Sequence, residues 1–148
     1  MKKEMIYLGA DHAGFDMKEK LKILLDKKKI PYEDLGTNSE DSVDYPDYAR
    51  KVAKAVIRNK RKYAKGILVC GTGTGMVMAA NRIKGARAVA AYDNYSAKMS
   101  RVDNNSNILC LRGRNFDFKK IKQITNTWLN TKFSKKLRHK KRIGKLDK

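Results

Sequence analysis

A parallel α/β fold follows from three features of the sequence. Short apolar runs alternate with amphipathic stretches five times along the chain. The runs are strand-length and rich in Ile, Leu and Val, as strands covered on both faces must be. Polar or glycine-rich clusters come directly after them, where a strand hands over to a helix. Parallel neighbours need a crossover, and the intervening helices supply it. The expected molecule is one domain over 1–148, a three-layer α/β/α, Rossmann-like arrangement of five parallel strands with an extra C-terminal helix. Its crossovers should be right-handed, and its ligands should lie beyond the carboxyl ends of the strands.

The elements read in order as follows. Residues 5–9 are a central strand, followed by Asp11-His12-Ala13-Gly14. From Phe15 onward, Met17, Leu21, Leu24 and Leu25 recur at helical spacing, and Pro31 closes that region. Residues 32–35 make a second strand, and 36–42 a polar loop. Asp44-Tyr45-Pro46 looks like a helix start, since proline suits the first turn and aspartate the amino end. Ala49, Val52, Ala53, Val56 and Ile57 then form one apolar stripe, and 59–65 is a basic turn. The third strand ends at Cys70. A short helix runs to about Ile83, where Gly85 stops it. Residues 86–91 form a small-residue strand interrupted by Arg87. Asp93-Asn94-Tyr95-Ser96 starts a helix carrying Ala97, Met99 and Val102. Residues 108–111 are the last strand, and Phe118, Ile121, Ile124, Trp128 and Leu129 mark a longer helix. From Ser134 the chain is strongly basic, and 144–148 is expected to fray.

At 148 residues the chain is long enough to bury roughly 70% of its unfolded surface. The formal net charge is +20, but the cations are spread over several helices and gather only in the tail. That distribution favours a solvated surface facing an anionic small molecule over nucleic-acid binding. No apolar run approaches the roughly 20 residues of a membrane span. Met1-Lys2-Lys3 opens like a signal peptide, yet Glu4 and Asp11 interrupt the apolar region that would have to follow. The two cysteines make no disulfide framework, and neither has a partner at zinc-ligand spacing. The expectation is a reduced, cytoplasmic protein with no metal, no cofactor and no membrane contact.

The most informative stretch is Gly66-Ile67-Leu68-Val69-Cys70-Gly71-Thr72-Gly73-Thr74-Gly75-Met76. A loop this rich in accessible amides can cradle a phosphate or a developing oxyanion. Its G-x-G-x-G spacing departs from the dinucleotide fingerprint, although Asp93 lies about where a ribose-binding acid would be sought. No Lys-Ser or Lys-Thr pair follows, so it is not a P-loop. Cys70 is delivered to the cleft rim by its strand; taken alone it reads equally as a reactive thiol or a small buried hydrophobe. Cys110, inside a strand, reads as packing. Asp11-His12, the Cys70 loop, Asp93 and Arg112-Gly113-Arg114 all fall at strand carboxyl ends, so four polar clusters converge on one edge.

Read together, the segments resemble ribose-5-phosphate isomerase type B, in the family that also holds the galactose-6-phosphate isomerase subunits. The matching pieces are Gly9-Ala10-Asp11-His12-Ala13-Gly14, Asp44-Tyr45-Pro46-Asp47-Tyr48-Ala49, and the Cys70 to Gly75 loop with Ala79-Ala80-Asn81. Gly85-Ala86-Arg87-Ala88, Tyr95-Ser96-Ala97 with Ser100-Arg101, and Arg138-His139-Lys140-Lys141-Arg142 also match. The resemblance implies a metal-free aldose–ketose isomerase of the pentose phosphate pathway. Its substrates are D-ribose 5-phosphate and D-ribulose 5-phosphate, and its sites are shared between the subunits of a homodimer. Cys70 is then the base that moves a proton between C2 and C1 through an enediolate, with Thr72 beside it. The five amides from Gly71 to Gly75, those of Gly71, Thr72, Gly73, Thr74 and Gly75, would hold the developing oxyanion. Asp11 and His12 match the sugar- and phosphate-contacting pair, although Asp11 alone reads as a helix cap. Arg114, Arg138 and Arg142 match phosphate-binding arginines, the last two from the partner, with His139 in the same motif. Tyr45 and Asn104 match substrate-side positions, and Asn104 alone also reads as a helix C-cap.

One residue departs from the pattern. The family usually places a histidine, assigned to opening the furanose ring, where this chain has Asp103. An ordinary aspartate with a pKa near 3.9 is a poor acid at neutral pH. His12 or His139 taking that task, a six-carbon sugar phosphate as substrate, and direct use of the open-chain sugar are the alternatives. A basic nucleic-acid-binding module that kept the fold without activity is the alternative from another class.

Overall fold

The computed structural model describes residues 4–59 and 63–148. Met1-Lys2-Lys3 and the middle of the expected basic turn lie outside the described residues. The elements are β1 (Ile6–Ala10), α1 (Phe15–Lys27), β2 (Tyr32–Asp34), α2 (Tyr45–Arg58) and β3 (Lys65–Cys70), then α3 (Thr74–Ala80), β4 (Ala88–Ala90), α4 (Asn94–Asn104), β5 (Ile108–Arg112), α5 (Phe118–Asn130) and α6 (Leu137–Ile143). All strand pairings are parallel, in the order β2-β1-β3-β5-β4.

The strands' period-two alternation sorts the core into two layers. Ile6, Leu8, Ala10, Ile67, Val69, Leu109 and Leu111 face α1, α4 and α5, where Leu21, Leu25, Ala97, Ile121 and Trp128 meet them. Tyr7, Leu68, Cys70, Ile108 and Cys110 face the other way, onto Val52, Ala53 and Val56 of α2 and Met76 and Ala80 of α3. From β1 the chain moves to one side for β2 and then crosses back for β3. The carboxyl ends of β1 and β3 therefore flank a switch point, where doubly wound sheets open a crevice.

Three boundaries differ from the sequence reading, each for a local reason. β4 is confined to Ala88–Ala90 because the Arg87 amide donates to Asn107 Oδ1 at 2.7 Å. The Asn81 side chain pairs with both backbone groups of Ala88, at 2.8 and 3.0 Å, and so covers part of the open edge. α3 stops at Ala80, where the chain tightens into turns with Arg82 bonded to Ala79 and Ile83 to Ala80. β2 ends at Asp34, whose Oδ1 accepts the Gly36 amide at 2.9 Å. After α6 the chain, expected to fray, turns back, and Asp147 accepts the Gly85 amide at 3.0 Å.

A buried ion pair holds the β2 end. Lys18 of α1 is fully buried and bonds Asp34 Oδ2 at 2.5 Å; Lys22 reaches the same oxygen at 3.0 Å. Burial pushes the Asp34 carboxyl up, but the bonds from Lys18, Gly36 and Lys22 outweigh it and hold the pKa below its ordinary value. Such a group stabilises the fold above its unfolded value near pH 4, and the contribution is lost as pH falls through the lower folded value. Asp34→Asn should therefore cost about 1–3 kcal/mol at neutral pH by denaturant unfolding. The gap from wild type should close below about pH 4; a gap unchanged at low pH would contradict this assignment.

Candidate active site

Three turns meet at the carboxyl edge. In the first, Asp11 Oδ1 accepts the amides of Ala13 and Gly14 at 2.9 and 3.0 Å. The Asp11 side chain thus forms a turn ahead of α1, whose N-cap is Gly14. His12 Nδ1 accepts the Val43 amide at 3.2 Å. In a neutral imidazole that leaves the ring proton on Nε2, a donor for whatever enters the crevice. The loop carrying Val43 is itself anchored, since Gly36 O and the Thr37 amide bond the Ala10 backbone at 2.7 Å each.

The second turn carries Cys70, which is 5% exposed, with Sγ accepting the Gly73 amide at 3.1 Å. A thiolate would strengthen that bond, as ionised acceptors do. Gly73 adopts φ +85°, which a side chain would resist, and starts α3 directly behind the sulfur. The Thr74 amide is engaged by Thr72 Oγ1 at 3.2 Å. The expected five-amide cradle is therefore smaller: Gly73 and Thr74 each have one proton and have already donated it. Among the described residues the Gly71, Thr72 and Gly75 amides have no protein acceptor.

The third turn follows β5. Gly113 N donates to Cys70 O at 2.8 Å and Arg114 N to Gly71 O at 3.2 Å. A Cβ on Gly113 would stand 2.8 Å from Ala13 O, and one on Gly14 2.2 Å from Val69 O. Only glycine lets these backbones touch. The Arg114 side chain lies over Gly71, with Nη1 3.7 Å from the position of an added Cβ. The Tyr45 ring packs on Gly75, 2.9 Å from where a Cβ there would stand, and the Tyr92 hydroxyl donates to Thr72 O at 2.7 Å. Asp11, His12, Tyr45, Cys70, the glycine loop and Arg114 are thus brought together. Asp93 lies on the same edge, but its carboxylate accepts the Ser96 amide at 2.7 Å as the N-cap of α4.

Asp103, Asn104, Arg138, His139 and Arg142 are elsewhere. α4 starts beside Tyr92 at the carboxyl edge and runs back to the amino edge, which puts Asp103 roughly 14 Å along the helix from Asn94 at 1.5 Å per residue. There Asp103 Oδ1 lies 3.6 Å from His139 Nε2, and His139 Nδ1 lies 2.8 Å from Ser134 Oγ. Arg138 and Arg142 flank His139 on α6 and are exposed. Asn104 is the last residue of α4; the left-handed cap is Asn105, at φ +47°. One chain therefore carries two half-sets of the expected site residues on opposite edges.

A cavity of about 710 Å³ opens at the amino edge, away from Cys70. Three of the cations that line it are already engaged. Lys65 bonds Glu4 at 2.7 Å, Arg87 bonds the carbonyls of Gly85 and Asn105, and Arg101 bonds those of Thr131 and Ser106. Burial lowers the pKa of Lys65 and of both arginines. Cys110 is inert for a similar reason, because burial, reinforced by nearby Cys70, pushes its thiol well above the ordinary range. Sequence reasoning missed two contributors. The Val43 amide has no side-chain signature. Tyr92 is visible only through its place just beyond a strand end.

The ribose/galactose isomerase family model matches residues 6–146. Ribose-5-phosphate isomerase B of Escherichia coli is 38% identical over 138 residues, 93% of this chain and 91% of that protein. A crystal structure of a ribose 5-phosphate isomerase from Thermotoga maritima superimposes with a TM-score of 0.91 at 46% identity, covering 97% of each chain. Ribose-5-phosphate isomerase B from Mycoplasma genitalium, crystallised with bound ribulose-5-phosphate, gives a TM-score of 0.92 at 35% identity over 99% of this chain and 95% of that one.

The His12 geometry yields a prediction independent of any substrate. Nitrogen-15 NMR at about pH 8, above the ordinary histidine range, should find the His12 proton on Nε2 and a bare Nδ1. A ring protonated at Nδ1, or an equal mixture, would contradict the Val43 bond.

Proposed function

The chain belongs to the ribose/galactose isomerase family, a sugar-phosphate isomerase, and from that premise we propose that it interconverts D-ribose 5-phosphate and D-ribulose 5-phosphate with Cys70 as the base. The observation that carries the reading is Cys70 Sγ held by the Gly73 amide beside three amides that have no acceptor among the described residues. The thiolate takes the C2 proton of the open-chain aldose. The electron pair moves through the new C1–C2 double bond onto O1, where the Gly71, Thr72 and Gly75 amides oppose the charge. After a proton passes from O2 to O1, the thiol returns its own to C1. His12, through Nε2–H, and Arg114 hold the phosphate end, and Tyr45 walls the crevice above Gly75. Both cysteines are free and buried, which suits a reducing, cytoplasmic setting and the pentose phosphate pathway.

In this reading the two half-sets complete each other across a homodimer. The partner's α4 end and α6 bring Asp103, Asn104, Arg138, His139 and Arg142 to the Cys70 crevice. Asp103 with His139 then handles ring opening, and the arginines add to the phosphate grip. Leu137, Leu146 and Tyr95, which are 82%, 62% and 74% exposed in the single chain, are the kind of side chains an interface covers.

Two experiments test the proposal. Ketose formation by Cys70→Ala should fall about 10²–10⁴-fold, the usual share of positioned proton transfer, together with exchange of the ketose C1 proton into deuterated water. Undiminished activity would remove Cys70 as the base. Refolding Cys70→Ala together with Arg138→Ala, each inactive alone, should restore about a quarter of wild-type activity, because half the dimers are mixed and each carries one intact site. No recovery from such a mixture would place both residues in the same subunit's site.

A further inference from the structure

Arg112 has no role in the site as described so far, yet it is the β5 residue in register with Cys70. Its Nε donates to Arg114 O at 2.8 Å, and its guanidinium carbon lies 5.2 Å from the Phe116 ring centroid. Lys120 stacks on that ring too, at 5.7 Å. Two contacts thus fix the fork while Nη1 and Nη2 have no acceptor among the described residues. Among the described residues neither Arg112 nor Arg114 has a carboxylate within 4.0 Å. Both line a recess of about 290 Å³ with Gly71, Thr72, Tyr92 and Asn115. The Arg114 amide bonds Gly71 O and the Gly113 amide bonds Cys70 O, so the recess moves as one body with the catalytic loop.

We propose that Arg112 and Arg114 together form a phosphate-binding fork on the same chain as Cys70, taking the phosphate monoester of the substrate. Planar guanidinium groups present paired N–H donors matched to phosphate oxygens, and an arginine already fixed by packing loses little freedom on binding. The recess adjoins the Thr72 and Gly71 amides, so a phosphate seated there leaves the sugar extending towards Cys70. The cis fork and the partner's Arg138 and Arg142 then grip one group from two sides. The assignment of the phosphate to the substrate rests on the proposed isomerase reading; the fork itself does not.

The test is calorimetric titration of inorganic phosphate into wild type, Arg112→Ala, Arg112→Lys and Arg138→Ala, with circular dichroism to establish folding. Arg112→Ala should weaken phosphate binding about tenfold or more, the usual effect of losing a charge-assisted bond, and Arg112→Lys should recover only part of it. With ribose 5-phosphate, KM should rise more than kcat falls. A folded Arg112→Ala that binds phosphate within twofold of wild type overturns the fork and leaves the isomerase reading standing. Phosphate binding that depends on Arg112 in a protein with no isomerase activity supports the fork and overturns the isomerase reading instead.

Discussion

Backbone contact between three turns is the constraint on which the rest of this structure depends. Gly14 lies against Val69 O, and Gly113 lies against both Ala13 O and Cys70 O. A methyl group at either glycine would push the ends of β1, β3 and β5 apart, by about an ångström at Gly14 and several tenths at Gly113, because rigid peptide groups stand on the other side. With them in contact, the Gly113 and Arg114 amides satisfy Cys70 O and Gly71 O. The carbonyls therefore point away from the crevice, and the amides of Gly71 and Thr72 are left to a ligand. The donor geometry of the loop follows from glycine packing at the ends of the two neighbouring strands.

The same architecture separates the other half of the expected site residues. α4 crosses from one sheet edge to the other, so a residue near its end cannot reach the crevice in which the helix begins. Its C-terminal turn is locked from behind: Arg101 and Arg87 bond carbonyls of residues 105, 106 and 131, and Ser106 Oγ accepts Trp128 Nε1 at 2.8 Å. Asp103 is thus half-exposed on a firm surface, with His139 buried behind it and bonded to Ser134. In the proposed homodimer, a second chain related by a two-fold axis would meet that surface reciprocally, as isologous pairing completes two sites at once.

Much of this was legible in the sequence, for a physical reason. Strands buried on both faces must be apolar throughout, so β1, β3 and β5 announce themselves, and the polar residues after them mark the carboxyl edge. That brought Asp11, His12, Cys70 and Arg114 to one place. What the sequence hides is contact between elements far apart in the chain. The Val43 amide that sets His12, the Lys18–Asp34 pair and the Asn81 cover over β4 all join segments without local periodicity. The engagement of the Gly73 and Thr74 amides was equally invisible, because a motif counts donors while folding decides which of them remain. The split of Asp103 from Cys70 needed the direction of α4.

Charge shows most clearly why composition alone does not locate a site. With 35 basic against 15 acidic residues, cations outnumber carboxylates more than two to one, so an unpaired arginine is by itself uninformative. Position and saturation discriminate. Arg87 and Arg101 are bonded to carbonyls at the amino edge, and Lys18 and Lys65 to carboxylates; each is fastened into the fold. Arg112 is fastened only through Nε and its stacked face, which leaves the two-pronged end of the fork towards a concave surface. A phosphate dianion entering there meets oriented donors and no competing carboxylate. The remaining surface lysines add a diffuse positive field that draws anions in and weakens with salt. Affinity then depends on the few guanidinium groups held still, and attraction at a distance on the many that are not.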